Sequence, residues 1–373
     1  MLLVREQLEE RERVLLAPYA VSSALSEGRH HPEPPDPYRT TFQRDRDRVI
    51  HSKAFRRSKG KTQVFVAHYG DHYRSRMIHS MEVAQVSRGI ARTLGLNEDL
   101  AETIAIAHDL GHTPFAHAGQ DALNAIMEQH GSHFEHNEQS LRVVEKLEYC
   151  YADFVGLNLT YEVRDGLIKH RTTYDNPQLI DHPMSSLEAQ VVNLADEIAY
   201  QNHDIDDGLR SCILKVEQLD QLPLWRKAQE GIRTDLGEDV WIAMTVTALV
   251  KLMIHDVVQM TNERLKTLSI NSLSDVYKAR DPLVSFSPEV SEMNEALKTF
   301  LYTYFYRSPG VFEYNERGAQ VIEALFDHFM THFEEIPLDP RANPEEPRHV
   351  LVKDYIAGMT DAFALKIYKR LKI

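Results

Sequence analysis

The string HDLGHTPFAH brings His108, Asp109, His112 and His117 into ten consecutive residues. Neighbouring residues on a helix point about 100° apart, so His108 and Asp109 can share one ion only near a helix end. Gly111 and Pro114 supply the bend that such an end needs. His79 falls in line with Val83, Val86 and Ile90 on an apolar helical face. A lone histidine there is more often a satisfied core residue than a ligand. Asp196 interrupts the apolar string VVNLADEIAY, and a buried carboxylate must be paired, hydrogen-bonded or bound to a metal. Together, two imidazoles and two carboxylates suit a borderline or hard divalent ion with open positions for water and substrate. Such an ion lowers the pKa of bound water and polarises a phosphoryl oxygen. Tyr200, His203, Asp204 and Asp207 follow Asp196 on one polar stripe, which an ordinary solvated face would also explain.

The elements that must carry these residues read as helices almost throughout. Ser80 to Leu94 has helical apolar spacing and Gly95 to close it. Asn97 is an N-cap followed by Glu98 and Asp99, and its helix runs to Gly111. A third helix spans Ser186 to about Tyr200. Val240–Leu265, Met293–Tyr306, Ala319–Phe333 and Val352–Leu371 have the same period. Pro and Gly mark loops at Gly28–Pro37, Arg171–Met184, Asp281–Pro288 and Ile336–Pro347. The expected fold is all-α: a helical bundle in one domain over 1–373, with a core at about 72–210, an N-terminal basic segment at 38–65 and a C-terminal helical extension from about 240.

A net charge of −14 argues against a general nucleic-acid binder. The segment from Arg39 to Lys61 is a basic exception, readable either as a solvated helix face or as a local site for an anionic substrate. Two cysteines, Cys150 and Cys212, make a disulfide framework unexpected and fit a reducing compartment. The N-terminus lacks the pattern of a signal peptide. No uninterrupted apolar run reaches the roughly 18 residues of a membrane span. A cytoplasmic protein without membrane contact is expected.

Five strings narrow the reading: RTTFQRDRDRVIHSKAFRRSKGKTQVF (39–65), DHYRSRMIHSMEVAQ (71–85), HDLGHTPFAHAGQ (108–120), FEHNEQSLRVVE (134–145) and NLADEIAYQNHDIDDGL (193–209). The H…HD…D order resembles HD-domain phosphohydrolases, and the strings resemble the bacterial deoxyguanosinetriphosphate triphosphohydrolase-like proteins. That resemblance implies an HD-domain fold and hydrolysis of a dNTP to deoxynucleoside and inorganic triphosphate, with attack at the α-phosphorus. It implies that His79, His108, Asp109 and Asp196 hold one divalent ion (Mn, Mg, Ni, Co, Fe or Zn). His117 would protonate the departing 5′ oxygen, and His112 and His136 would contact phosphate oxygens. Arg76 would bind phosphate, Tyr200 and Asp204 the triphosphate or sugar, and Gln63 the sugar or base. The resemblance further implies a homo-oligomer, a hexamer in relatives, with a dNTP effector or single-stranded nucleic acid as a modulating partner.

One position departs from the family pattern. HAGQ stands where HAGE is usual, so Gln120 replaces the acid expected to pair with His117. A carboxylate orients an imidazole and stabilises its protonated form, whereas a carboxamide adds no charge. A slow enzyme, a nucleotide-binding relative without activity, and a takeover of the pairing by Asp121 are all consistent with this change. A phosphomonoesterase or phosphodiesterase on another nucleotide is the alternative within HD enzymes. A dNTP- or nucleic-acid-binding regulatory protein is the alternative outside catalysis.

Overall fold

The computed structural model describes residues 2–64, 74–170, 183–233 and 235–371. The expected loop at Arg171–Met184 lies almost entirely outside them. Among the described residues every regular element is a helix, and the only β pairings are the single bridges Arg29–Thr160 and Thr62–Ser75. The all-α expectation therefore holds.

The N-terminal part supplies α1 (Arg5–Leu15), α2 (Thr41–His51) and α3 (Lys53–Ser58). The middle comprises α4 (Arg76–Leu94), α5 (Glu98–Ala107), α6 (Ala116–Gln129), α7 (His136–Arg142), α8 (Tyr161–Ile168) and α9 (Leu187–Arg210). The remainder holds α10 (Val216–Leu219), α11 (Pro223–Gln229), α12 (Glu238–Thr267), α13 (Leu273–Tyr277), α14 (Pro288–Leu301), α15 (Pro309–Thr331), α16 (Arg348–Ala357) and α17 (Asp361–Leu371).

Local chemistry sets several of these limits. Gly95 takes the left-handed conformation (φ 71°) that ends α4. The Asn97 side chain accepts from Leu100 N, and Ser186 from Ala189 N, to start α5 and α9. Three limits differ from the sequence expectation. The helix after Asn97 stops at Ala107 and tightens into a 3-10 turn at His108–Gly111. α9 runs on to Arg210, because its polar positions after Tyr200 are buried and paired rather than solvated. The expected Val352–Leu371 helix is broken after Gly358, where Thr360 Oγ1 accepts from Phe363 N and restarts the chain as α17.

α4, α5 and α9 pack together at the centre, and α2, α8 and α12 cover them. Their apolar faces, including Val83, Ile90, Leu100, Ile104, Val191 and Ile198, are buried. α12 contains an 18-residue window of mean hydropathy 1.5, apolar enough by length and composition to cross a membrane, although Lys251 interrupts its longest apolar run. Its buried residues Thr245, Leu249, Met253, Val257, Thr261 and Leu265 recur every four residues and form one stripe, and the helix packs on α4, α9 and α11. A second apolar cluster joins α6 to the C-terminal helices: Phe115, Leu123 and Met127 meet Val321, Phe326, Val352, Ile356 and Ile367.

The basic segment is mostly scaffolding. Arg46 pairs with Asp99 and Glu102, Arg39 with Asp36 and Asp47, and Arg48 with Glu33 and the carbonyl of Leu157. Lys53, Arg56, Arg57 and Lys59 line a surface hollow with Gly60 and Thr360.

Glu188, at the start of α9, is fully buried, and its Oε1 accepts from the backbone N–H groups of Val21 and Asn97. Burial outweighs these bonds and pushes the carboxyl up to about 7. A folded-state value above the unfolded one means that the protonated form stabilises the fold. That contribution is complete below the unfolded pKa of about 4.5 and is lost as pH rises through about 7. Glu188→Gln keeps the shape and the accepting oxygen, so it should raise stability above pH 8 by on the order of a few kcal/mol and converge on the wild type in acid. Urea midpoints at pH 5.5 and 8.5 check this, and an equal gap between the two proteins at both values would refute it.

Candidate active site

His79 enters from the first turn of α4, His108 and Asp109 from the end of α5, and Asp196 from the middle of α9. All four are buried. His79 Nε2 lies 2.9 Å from Asp196 Oδ1 and 3.9 Å from Asp109 Oδ2. The 3-10 turn brings His108 Nε2 within 3.3 Å of Asp109 Oδ1, resolving the opposed directions of adjacent residues. His108 Nδ1 lies 2.6 Å from the carbonyl of Ala105, so Nδ1 carries the proton and Nε2 is the basic nitrogen. That Nε2 is buried with no hydrogen-bond partner among the described residues. An orphaned imidazole nitrogen facing two carboxylates fits a divalent cation, which His79, His108, Asp109 and Asp196 would hold.

His170, just past the end of α8, belongs to the same cluster. Its Nε2 lies 3.4 Å from Asp196 Oδ2, and His108, His170 and Asp196 offer ligand atoms all within 4.8 Å of one another. No periodicity distinguishes His170 in the sequence, and only the end of α8 beside α9 brings it in.

Both carboxyls are held well below the usual carboxylate range. Burial acts in the opposite direction and is overcome: at Asp109 by His108, Arg76 and His112, and at Asp196 by hydrogen bonds with His170 and His79. Burial drives His112 well below its ordinary value, helped by Arg76. His79 is raised against burial by Asp196. Arg76 Nη1 donates to Asp109 Oδ2 at 3.0 Å, while its buried Nε has no partner among the described residues. The guanidinium thus has donor capacity left for an anion.

A second histidine group flanks this centre. His112 Nε2 lies 3.1 Å from Asp109 Oδ1, and the His112 and His136 rings stack 4.0 Å apart. The His117 ring centroid is 6.0 Å from that of His112. Gln120 is expected opposite His117, yet its Oε1 lies 3.0 Å from His136 Nδ1, so the imidazole it meets is that of His136. The cause is the approach of α7. A Cβ on Gly111 would stand 2.2 Å from the His136 carbonyl and Ser140 N, so only glycine lets α7 reach the turn.

One cavity of about 450 Å³ gathers every residue to which the family resemblance gave a site role: Gln63, Arg76, His79, His108, Asp109, His112, His117, Gln120, His136, Asp196, Tyr200 and Asp204. His170, Asp121, Tyr302, Tyr306, Val311 and Asn315 also line it, with Val64 and Ala116. The Tyr306 hydroxyl donates to Asp204 Oδ2. Tyr302 and Tyr306 are about a hundred positions from Asp204, in the string LKTFLYTYFY (297–306), whose resemblance to the family pattern is weaker than that of the five upstream strings.

The turn between His112 and His117 is strained. Phe115 and Ala116 adopt φ of 66° and 52°, which costs about 1–3 kcal/mol per residue for side chains other than glycine. Partners on both sides hold it. Asp361 accepts from Phe115 N at 3.1 Å, Thr62 N at 3.0 Å and Tyr314 OH at 3.2 Å. Buried Lys61 donates to the carbonyls of His112 and Ala357, and burial, then Arg76, lowers its ammonium to about 7.

Two outcomes follow from this geometry. Asp361→Asn turns one accepting oxygen into a donor facing a donor and should destabilise the fold by about 1–3 kcal/mol, read from urea unfolding; unchanged stability would remove Asp361 as the clamp. Equilibrium dialysis followed by elemental analysis should find one Mn²⁺ per wild-type chain, weaker retention in His170→Ala and none in His108→Ala. Full retention by His108→Ala would disprove the assigned site.

Known proteins resemble this chain over nearly its whole length. The HD domain family matches residues 76–201, and the phosphohydrolase-associated domain matches 284–370. A deoxyguanosinetriphosphate triphosphohydrolase-like protein of Geobacter sulfurreducens is 46% identical, covering 98% of this chain and 97% of its own. Proteins described in the same words from Thiobacillus denitrificans and Leptospira interrogans are 47% and 43% identical, over 95% and 98% of this chain and 96% and 99% of theirs. These full-length relatives and the HD match across α4 to α9 show that the chain belongs to the deoxyguanosinetriphosphate triphosphohydrolase-like family of HD-domain phosphohydrolases.

Proposed function

We propose that this phosphohydrolase cleaves deoxynucleoside triphosphates to deoxynucleoside and inorganic triphosphate, with a divalent ion as cofactor. One observation carries the reading: the His79, His108, Asp109 and Asp196 donors share a cavity with a buried arginine, four further histidines and the Tyr200–Asp204 face. The name borne by the relatives, deoxyguanosinetriphosphate triphosphohydrolase-like protein, supports the same substrate class.

Bound at the four donors, a divalent ion would lower the pKa of a water and polarise a phosphoryl oxygen. The chain's own groups do the rest. Arg76, with donor capacity beyond its bond to Asp109, binds phosphate oxygens. His112 and His136 flank the phosphate: the N–H of neutral His112 goes to Asp109, and His136, its Nδ1–H held by Gln120, donates from Nε2 to a phosphate oxygen when protonated. The water oxygen forms a bond to the α-phosphorus as the bond from phosphorus to the 5′ oxygen breaks. His117 gives its proton to the departing 5′ oxygen, and the water's proton returns the site to its starting state. Tyr200 and Asp204 contact the triphosphate or sugar and Gln63 the sugar or base, and Tyr306 holds Asp204 in place.

Metal-stripped protein incubated with each dNTP, singly and mixed, with Mn²⁺ or Mg²⁺ should release deoxynucleoside and triphosphate in equal amounts on ion-exchange analysis. His108→Ala should release neither. Orthophosphate or pyrophosphate as the product would overturn the assignment in favour of another nucleotide hydrolase.

A further inference from the structure

Position 120 carries no charge, yet His136, the imidazole it meets, does not lack a carboxylate. Glu135 Oε1 lies 2.9 Å from His136 Nδ1, beside Gln120 Oε1 at 3.0 Å. The Nδ1–H goes to Gln120, and the Glu135 carboxylate stands beside it as an ion-pair contact, which leaves Nε2 as the ring's second working atom. Glu135 is also the N-cap of α7: its carboxylate accepts from the backbone N–H groups of Asn137 and Glu138. The cap fixes where the carboxylate sits, and the stack on His112 fixes the plane of the ring. Burial pushes the Glu135 carboxyl up, but the bonds from His136 and the backbone carry it below its ordinary value, so it stays charged in neutral solution. Asp121 does not take this part. Burial raises it, and it makes no hydrogen bond or ion pair with another described residue.

We infer that Glu135 is the positioning carboxylate of His136, supplying from the N-terminus of α7 the charge that Gln120 on α6 does not provide. The two side chains divide one task. Gln120 holds the tautomer as a neutral acceptor, and Glu135 holds it as an anion that also stabilises the ring when protonated. His136 contacts substrate in the reading above, on which this inference rests; Glu135 acts through His136.

The test separates this role from capping. Glu135→Ser retains a good N-cap but cannot reach the imidazole. Its thermal midpoint should stay near that of the wild type, while kcat falls about 10- to 100-fold with KM changed far less. Adding Gln120→Glu to Glu135→Ser should restore most of the lost kcat, because a carboxylate again faces Nδ1. A purely structural role would not be rescued from position 120. A kcat for Glu135→Ser within about twofold of wild type, or a loss that Gln120→Glu leaves untouched, would overturn the inference. The ¹⁵N resonances of His136 give a readout independent of turnover. The wild type should show one form with the proton on Nδ1, and Glu135→Ser a mixture; identical spectra would reject the role. Should the wild type hydrolyse no dNTP, the substrate assignment fails, and these spectra still decide the place of Glu135.

Discussion

Two carboxylates, Asp109 and Asp196, sit in the interior of a helical protein, and the rest of the site is arranged around keeping them charged. An isolated buried carboxylate would take up a proton. Here Arg76, His79, His108, His112 and His170 surround the pair. They hold both carboxyls below their usual range in spite of complete burial. The same surroundings leave His108 Nε2, which faces both carboxylates, with no hydrogen-bond partner among the described residues. A cluster of this kind is a receptor for a cation, because a divalent ion offsets the two charges and takes up the orphaned nitrogen.

Holding those donors together needs helices that meet at fixed points. α4, α5 and α9 form the packed centre, and each delivers its ligand from a turn that local sequence sets. The shift from α-helix to a 3-10 turn at His108 matters most, since it lets adjacent residues reach the same point. The strained turn that follows is held from a distance. Lys61 and Asp361 tie it to the N-terminal segment and to α16 and α17, so the C-terminal extension helps to shape the cavity and also supplies part of its wall.

Position 120 shows how two helices can converge on one histidine. The carboxamide still accepts from His136, and the adjacent Glu135 brings charge to the same nitrogen through its capping geometry. What matters for an imidazole is that an anion faces its N–H at hydrogen-bond distance, and two helices meeting at one histidine offer two places to put it.

Much of this was legible in the chain itself. Helical period and caps such as Gly95, Asn97 and Ser186 reveal the helices because they act within a few residues. The residues His79, His108, Asp109 and Asp196 stand out because a histidine or carboxylate on an apolar face demands a partner. The basic segment was ambiguous, and tertiary contacts assigned most of its arginines to ion pairs with Asp99, Glu102, Asp47 and Glu33. His170 and Asp361 carried no local mark, since their meaning depends on neighbours up to hundreds of residues away. The partner of Gln120 was equally hidden, because the approach of α7 over Gly111, and no spacing along the chain, decides which imidazole it meets. The sequence by itself determined the helices and the donor types, which follow from short-range periodicity and the cost of burying charge. Only the tertiary structure decided which donors converge and which acceptor faces which nitrogen, because those distances are set by how separate helices pack.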